Sequence, residues 1–209
     1  MPRRTMAILD HEVRLASQAG GGVTGHSRHL FTRETYRQLR DAGAFGDSRI
    51  EMIEGEIIDM APIGPFHAAV THPLAVLLET AFGKGFCARN QTPISLGDDA
   101  VPSEPQPDVT IAAGEWRDYR ARKPSPADIQ LVVEIAESSL AYDRTVKAAL
   151  YASAGIPEYW IVNLQARQLE IYREPSPTGY RTTTIRQAGD IVEPLRAPGS
   201  PIAIADFLA

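Results

Sequence analysis

Between residues 49 and 60, apolar and polar side chains alternate on both sides of Glu54-Gly55. That two-residue period predicts a β-hairpin closed by a tight turn. Upstream, Thr32 is placed to cap a helix through Tyr36 and Leu39 to Ala42, with Gly43 as its stop. Residues 65–82 repeat apolar positions at helical spacing (Ala69, Val70, Leu74, Leu77, Leu78, Ala81), and Pro73 predicts a kink or a restart within them. A strand pair is expected at 86–90 and 92–96. Pro102, Pro105 and Pro107 mark an extended connector that delivers a strand at 108–112. The apolar run 131–136 reads as a strand. It leads through Glu137-Ser138-Ser139 into a helix starting near Tyr142 or Asp143, with Val146, Ala149, Leu150 and Ser153 as its buried stripe and Gly155 as its end. Residues 158–164 and 168–173 form a second hairpin, and 180–208 alternate enough for two or three more strands. Residues 1–28, with Gly20-Gly21-Gly22 and little periodicity, read as a flexible arm ahead of one mixed α/β domain at 29–209.

Composition narrows the function classes. No apolar stretch approaches the roughly 20 residues of a membrane helix. Arg3 and Arg4 are followed by Asp10, His11 and Glu12 rather than by an apolar run, so a secretory signal is not expected. The single cysteine, Cys87, has no internal disulfide partner and fits a reducing, cytoplasmic setting. A formal charge of −5 argues mildly against charge-driven nucleic-acid binding, although acidic metal ligands lower the total and a local stripe can still be basic. Residues 116–123, which interleave Trp116 and Tyr119 with Arg117, Arg120, Arg122 and Lys123, form such a stripe or a solvated loop.

Two carboxylates stand where apolar residues belong. Asp108 opens the run Val109-Thr110-Ile111, and Glu134 sits inside Leu131-Val132-Val133-Glu134-Ile135-Ala136, on the strand face shared with Val132 and Ala136. A charge buried without a partner is costly, so each predicts a cation or strong donors beside it. On adjacent strands the pair could approach one Mg²⁺ or Mn²⁺, which favours hard oxygen ligands. Lys147, one helical turn from Asp143, would by that pairing alone be a surface lysine; reaching Glu134, it could stabilise a charged transition state. His67 and His72 lack zinc spacing, and Ser138-Ser139 lacks the glycine elbow of a serine hydrolase.

Pro107-Asp108, Glu134 and the downstream lysine together resemble the PD-(D/E)xK nuclease superfamily. The finer resemblance is to the Uma-type endonucleases, once a domain of unknown function. It is carried by residues 49–57, 104–109, 131–135 and above all 142–162, ending Ala154-Gly155-Ile156-Pro157-Glu158-Tyr159-Trp160-Ile161-Val162. The resemblance implies a restriction-endonuclease-like core, a central mixed sheet flanked by helices. It implies Asp108 and Glu134 as metal ligands, with the Ile135 carbonyl as a third. Glu51 matches an acidic position of the family that could complete the metal shell, while His67 and Gln91 are accessory candidates. One departure stands out: the general motif has a lysine two residues after the second acid, where this chain has Ala136, and the Uma-type pattern moves that lysine to Lys147. The expected activity is metal-dependent cleavage of nucleic acid, DNA before RNA, by a homodimer. The rival readings are a catalytically weak nuclease-fold module that binds nucleic acid or a protein, and a buried ion-pair network with a structural role alone.

Overall fold

The computed structural model describes residues 28–208, so the arm expected at 1–28 lies almost wholly outside the described residues. Helix α1 (Arg33–Asp41) starts where expected, with the Thr32 hydroxyl accepting from the Thr35 amide. Strands β1 (Ile50–Ile53) and β2 (Glu56–Asp59) form the expected hairpin. At its turn Glu54 and Gly55 both take positive φ, 50° and 77°. An added Cβ on Gly55 would lie 2.9 Å from the Leu30 Cβ, so conformation and space both call for glycine there.

Helix α2 (Pro65–Phe82) runs unbroken through Pro73 and does not restart there. Its buried residues Val70, Leu74, Leu78 and Phe82 recur every four positions, and this stripe holds the helix across the proline by packing on the sheet. Strand β3 (Phe86–Asn90) follows. The partner expected at 92–96 does not form a strand. Gln91 takes a φ of 49°, which turns the chain away, and Leu96 makes only an isolated bridge with Ser103.

The partner of β3 is instead β4 (Val109–Ala113), which pairs in turn with β5 (Ile129–Ala136). Strands β6 (Glu158–Asn163), β7 (Gln168–Ser176) and β8 (Gly179–Gln187) complete a six-stranded mixed sheet in the order β3-β4-β5-β6-β7-β8. Every pairing in it is antiparallel except β5 with β6. That parallel step needs a crossover, supplied by helix α3, residues 140–153. A short pair, β9 (Ile191–Val192) and β10 (Ile202–Ala203), and a last turn α4 (Ala205–Leu208) close the chain.

Sheet alternation divides the core between the two faces. Val109, Ile111, Leu131, Val133, Trp160 and Val162 pack against α2 and α4. Val132, Ala136, Tyr159 and Ile161 face the other way, onto Leu150 and Tyr151 of α3 and onto Ile53, Ile94 and Leu96. Among the described residues, no helix is long and apolar enough to cross a membrane.

Helix α3 departs most from its expected form. It begins with an α turn at Leu140–Tyr142, continues as a π segment at Asp143–Lys147, and returns to α at Ala148–Ser153. The stripe expected at Val146, Ala149, Leu150 and Ser153 is buried only at Leu150; Asp143, Lys147 and Tyr151 turn inward instead. The wider π turn resets the phase of the helix, and polar side chains go inward because the sheet offers them charged partners.

Candidate active site

Asp108 and Glu134 lie one pair beyond the Val109–Val133 partners of β4 and β5, on the face turned to α3. Both line a cleft of about 370 Å³, together with Glu51, His67, Ile135 and Lys147, so six of the residues singled out in the sequence converge there. Gln91, the seventh, reaches in from the end of β3 and donates from Nε2 to Asp108 Oδ1 at 3.3 Å.

Lys147 sits at the centre of the charge arrangement. Its Nζ is 3.0 Å from Glu134 Oε1 and 3.0 Å from Glu51 Oε2, and the Lys147 side chain is only 5% exposed. Burial disfavours its charge, but Glu134, Glu51 and Asp143 together outweigh burial and hold its pKa above the ordinary lysine range. The surface pairing with Asp143 does not occur. Asp143 is itself buried and accepts from the Ser139 hydroxyl at 2.6 Å. Burial pushes the Asp143 carboxyl up to about 6.

Glu134 accepts twice on Oε1, from Lys147 and, at 2.6 Å, from the Tyr151 hydroxyl. Burial, and behind it the charges of Asp108, Asp143 and Glu51, push its carboxyl up to about 8, with Lys147 pulling the other way. Asp108 is held differently: Oδ2 accepts from the Ile135 amide at 2.8 Å, and Oδ1 is 2.7 Å from His67 Nε2. Ile135 thus meets Asp108 through its N–H.

Sequence reasoning missed Ser139, Tyr142, Asp143 and Tyr151. Tyr142 lines the cleft, and its buried hydroxyl finds no hydrogen-bond partner among the described residues. The available signal was the four-residue spacing of Asp143, Lys147 and Tyr151, which is a helix face made of polar residues.

The donor set suits a hard cation by charge. Six carboxylates line the cleft, Glu51, Asp59, Asp108, Glu134, Glu137 and Asp143, against two cations, Arg49 and Lys147. Among the described residues, no three His, Cys, Asp or Glu side chains are grouped to hold a metal. A Mg²⁺-like ion needs no such cage, since it binds through one or two carboxylates and keeps several waters.

Comparison with known proteins matches this architecture. A structure titled a "putative nuclease belonging to DUF820", from Anabaena variabilis, superposes with a TM-score of 0.64 at 15% identity, covering 85% of this chain and 97% of that one. At that identity the likeness speaks for the fold, a restriction-endonuclease-like mixed sheet flanked by helices. No curated protein matches the chain. Residues 33–205 match the Uma2 family, described as "Putative restriction endonuclease", and the chain belongs to that family.

Proposed function

We propose that the chain is a divalent-metal-dependent endonuclease that hydrolyses DNA phosphodiester bonds, with residues 29–209 acting as one nuclease domain. The observation that carries this reading is the convergence of Asp108, Glu134 and Lys147 in one cleft, with the lysine fixed between two carboxylates. Asp108 and Glu134 would hold Mg²⁺ or Mn²⁺. When bound, such an ion supplies a Lewis acid for the phosphoryl oxygen and lowers the pKa of a coordinated water.

The remaining roles fall to side chains. Lys147, held charged, faces the negative charge that builds on the phosphorane oxygens. Tyr151 and Lys147 both occupy Glu134 Oε1 and so orient that carboxylate. Glu51 holds Lys147 in place from the hairpin, a use of this residue that competes with ligation. His67, Gln91 and the Ile135 amide fix Asp108. Tyr142 has a hydroxyl to offer a phosphate oxygen. Water is the nucleophile, so no covalent enzyme intermediate forms. A two-fold pair of chains would serve both strands of a duplex, and the lone buried Cys87 fits a cytoplasmic setting.

One observation favours the rival reading of a binding module: the Lys147 side chain is nearly closed off from solvent. The two readings part on supercoiled plasmid incubated with Mn²⁺ or Mg²⁺. Nicking by the wild type that Asp108→Ala and Lys147→Ala both lose is the expected result. Equal traces from all three proteins would sink the nuclease reading.

A further inference from the structure

The basic stripe noted in the sequence has a definite place in the fold. Residues Trp116–Tyr119 form a 3₁₀ turn, and the segment after it borders an open groove of about 590 Å³ beside strand β3. Arg89, Tyr119, Arg120, Arg122 and Lys123 line it. Two of the four cations are already neutralised. Arg122 makes a two-pronged contact with Asp128 at 2.6 and 2.9 Å, and Lys123 pairs with Glu104.

The other two are held differently. The Arg89 guanidinium carbon lies 5.1 Å from the centre of the Tyr119 ring, and that of Arg120 lies 4.5 Å from the centre of the Trp116 ring. Neither makes an ion pair among the described residues, and Arg89 Nε is buried with no hydrogen-bond partner there. A guanidinium stacked on a ring is fixed in direction while its planar N–H edge stays available, which suits a phosphate. Trp116 is 58% exposed, a large aromatic surface for an otherwise ordinary loop.

Position links this groove to the cleft. Arg89 is the register partner of Thr110 on β4, and Thr110 lies two residues from Asp108 on the same face. Along the strand that separation is about 7 Å, roughly the reach of one or two phosphates of a nucleic-acid strand. Gln91, two residues beyond Arg89, already touches Asp108.

We propose that the groove lined by Arg89, Tyr119 and Arg120, with Trp116 beside it under the Arg120 guanidinium, is a docking track for an unpaired nucleic-acid strand leaving the cleft, with phosphates on Arg89 and Arg120 and a base stacked on Trp116. The inference rests on the nuclease reading for the origin of the strand, while the groove itself stands apart from it. Stacking on an exposed aromatic selects unpaired bases over a closed duplex.

The test is anisotropy of a fluorescein-labelled single strand in EDTA across a salt series, for wild type, Arg89→Gln/Arg120→Gln, Arg120→Gln and Trp116→Ala. A parallel assay follows turnover of bis(p-nitrophenyl) phosphate with Mn²⁺, a diester too small to reach the groove. The double variant should bind roughly tenfold more weakly, with a salt slope lower by about 1.4, corresponding to two phosphates at ~0.7 each. Trp116→Ala should lose about tenfold on the single strand, the size of one stacked base, and keep its affinity for a blunt duplex. Small-diester turnover should stay at the wild-type rate in all variants. Arg120→Gln alters an exposed side chain, so it carries the test, with a slope change of about 0.7, if the Arg89 variant does not fold. Unchanged binding in Arg120→Gln and Trp116→Ala overturns the proposal. Weakened binding in a protein whose wild type never cleaves the diester would leave the groove standing and remove the nuclease reading instead.

Discussion

Lys147 is buried between two carboxylates, so its removal strands both Glu51 and Glu134. Breaking a buried pair from one side costs about 3–5 kcal/mol. Lys147→Met should therefore lower the melting temperature as well as abolish plasmid nicking; a variant that melts like wild type would deny the pairing. Tyr151→Phe removes a single short bond onto Glu134 Oε1. A loss of about 1–2 kcal/mol in urea unfolding is expected, with nicking slowed rather than abolished. Asp143 supplies a pH signature. Its proton leaves the unfolded chain near 3.8 but is kept to about 6 in the folded one. The folded state binds more protons across that window, so stability falls as pH rises through it, by up to about 1.4 kcal/mol per pH unit. Urea midpoints of Asp143→Asn should lose this share of the slope, leaving the part that Glu134, whose carboxyl is pushed up to about 8, adds above 4.5. At this scale the burial of Asp108 and Glu134 beside polar partners was legible, because a carboxylate inside an apolar run calls for a cation or strong donors next to it. Tyr151 and Asp143 were not, because hydropathy alone sends a polar helix residue outward.

Among the elements, the hairpin β1–β2 and the helix α3 together make the lysine site, and they differ in how readable they were. The hairpin followed from strict alternation around Glu54-Gly55, and its turn is held by backbone conformation. Gly55→Ala should destabilise by about 1 kcal/mol or more, since a positive φ and the Leu30 contact both oppose a Cβ; an unchanged melting curve would refute the turn assignment. In α3 the π segment escaped a reading based on 3.6-residue periodicity. Strand 92–96 was misread for a related reason: its apolar residues Ile94 and Leu96 do face a core, but as an extended segment laid over β5 rather than as a partner of β3.

For the whole molecule, the cleft concentrates negative charge in a chain already at −5. A divalent cation that binds only the folded state should raise the melting temperature, by about 2.7 kcal/mol of stabilisation at a hundredfold excess over Kd. That shift with Mn²⁺ should vanish in Asp108→Asn and in Glu134→Gln; its persistence in both would place the ion elsewhere. The sheet order was not legible from the chain, because alternation fixes which face a strand buries and says nothing of its neighbours. What the order produces is a single crossover unit, β5–α3–β6, in the middle of the sheet, with β3 and β8 at its rims. In deuterated buffer the rim amides should exchange through local fraying, while those of β5 and β6 wait for global opening. Glu134 and Lys147 both belong to that slow unit, so the pair should outlast the loss of either sheet edge and be among the last features of the molecule to come apart.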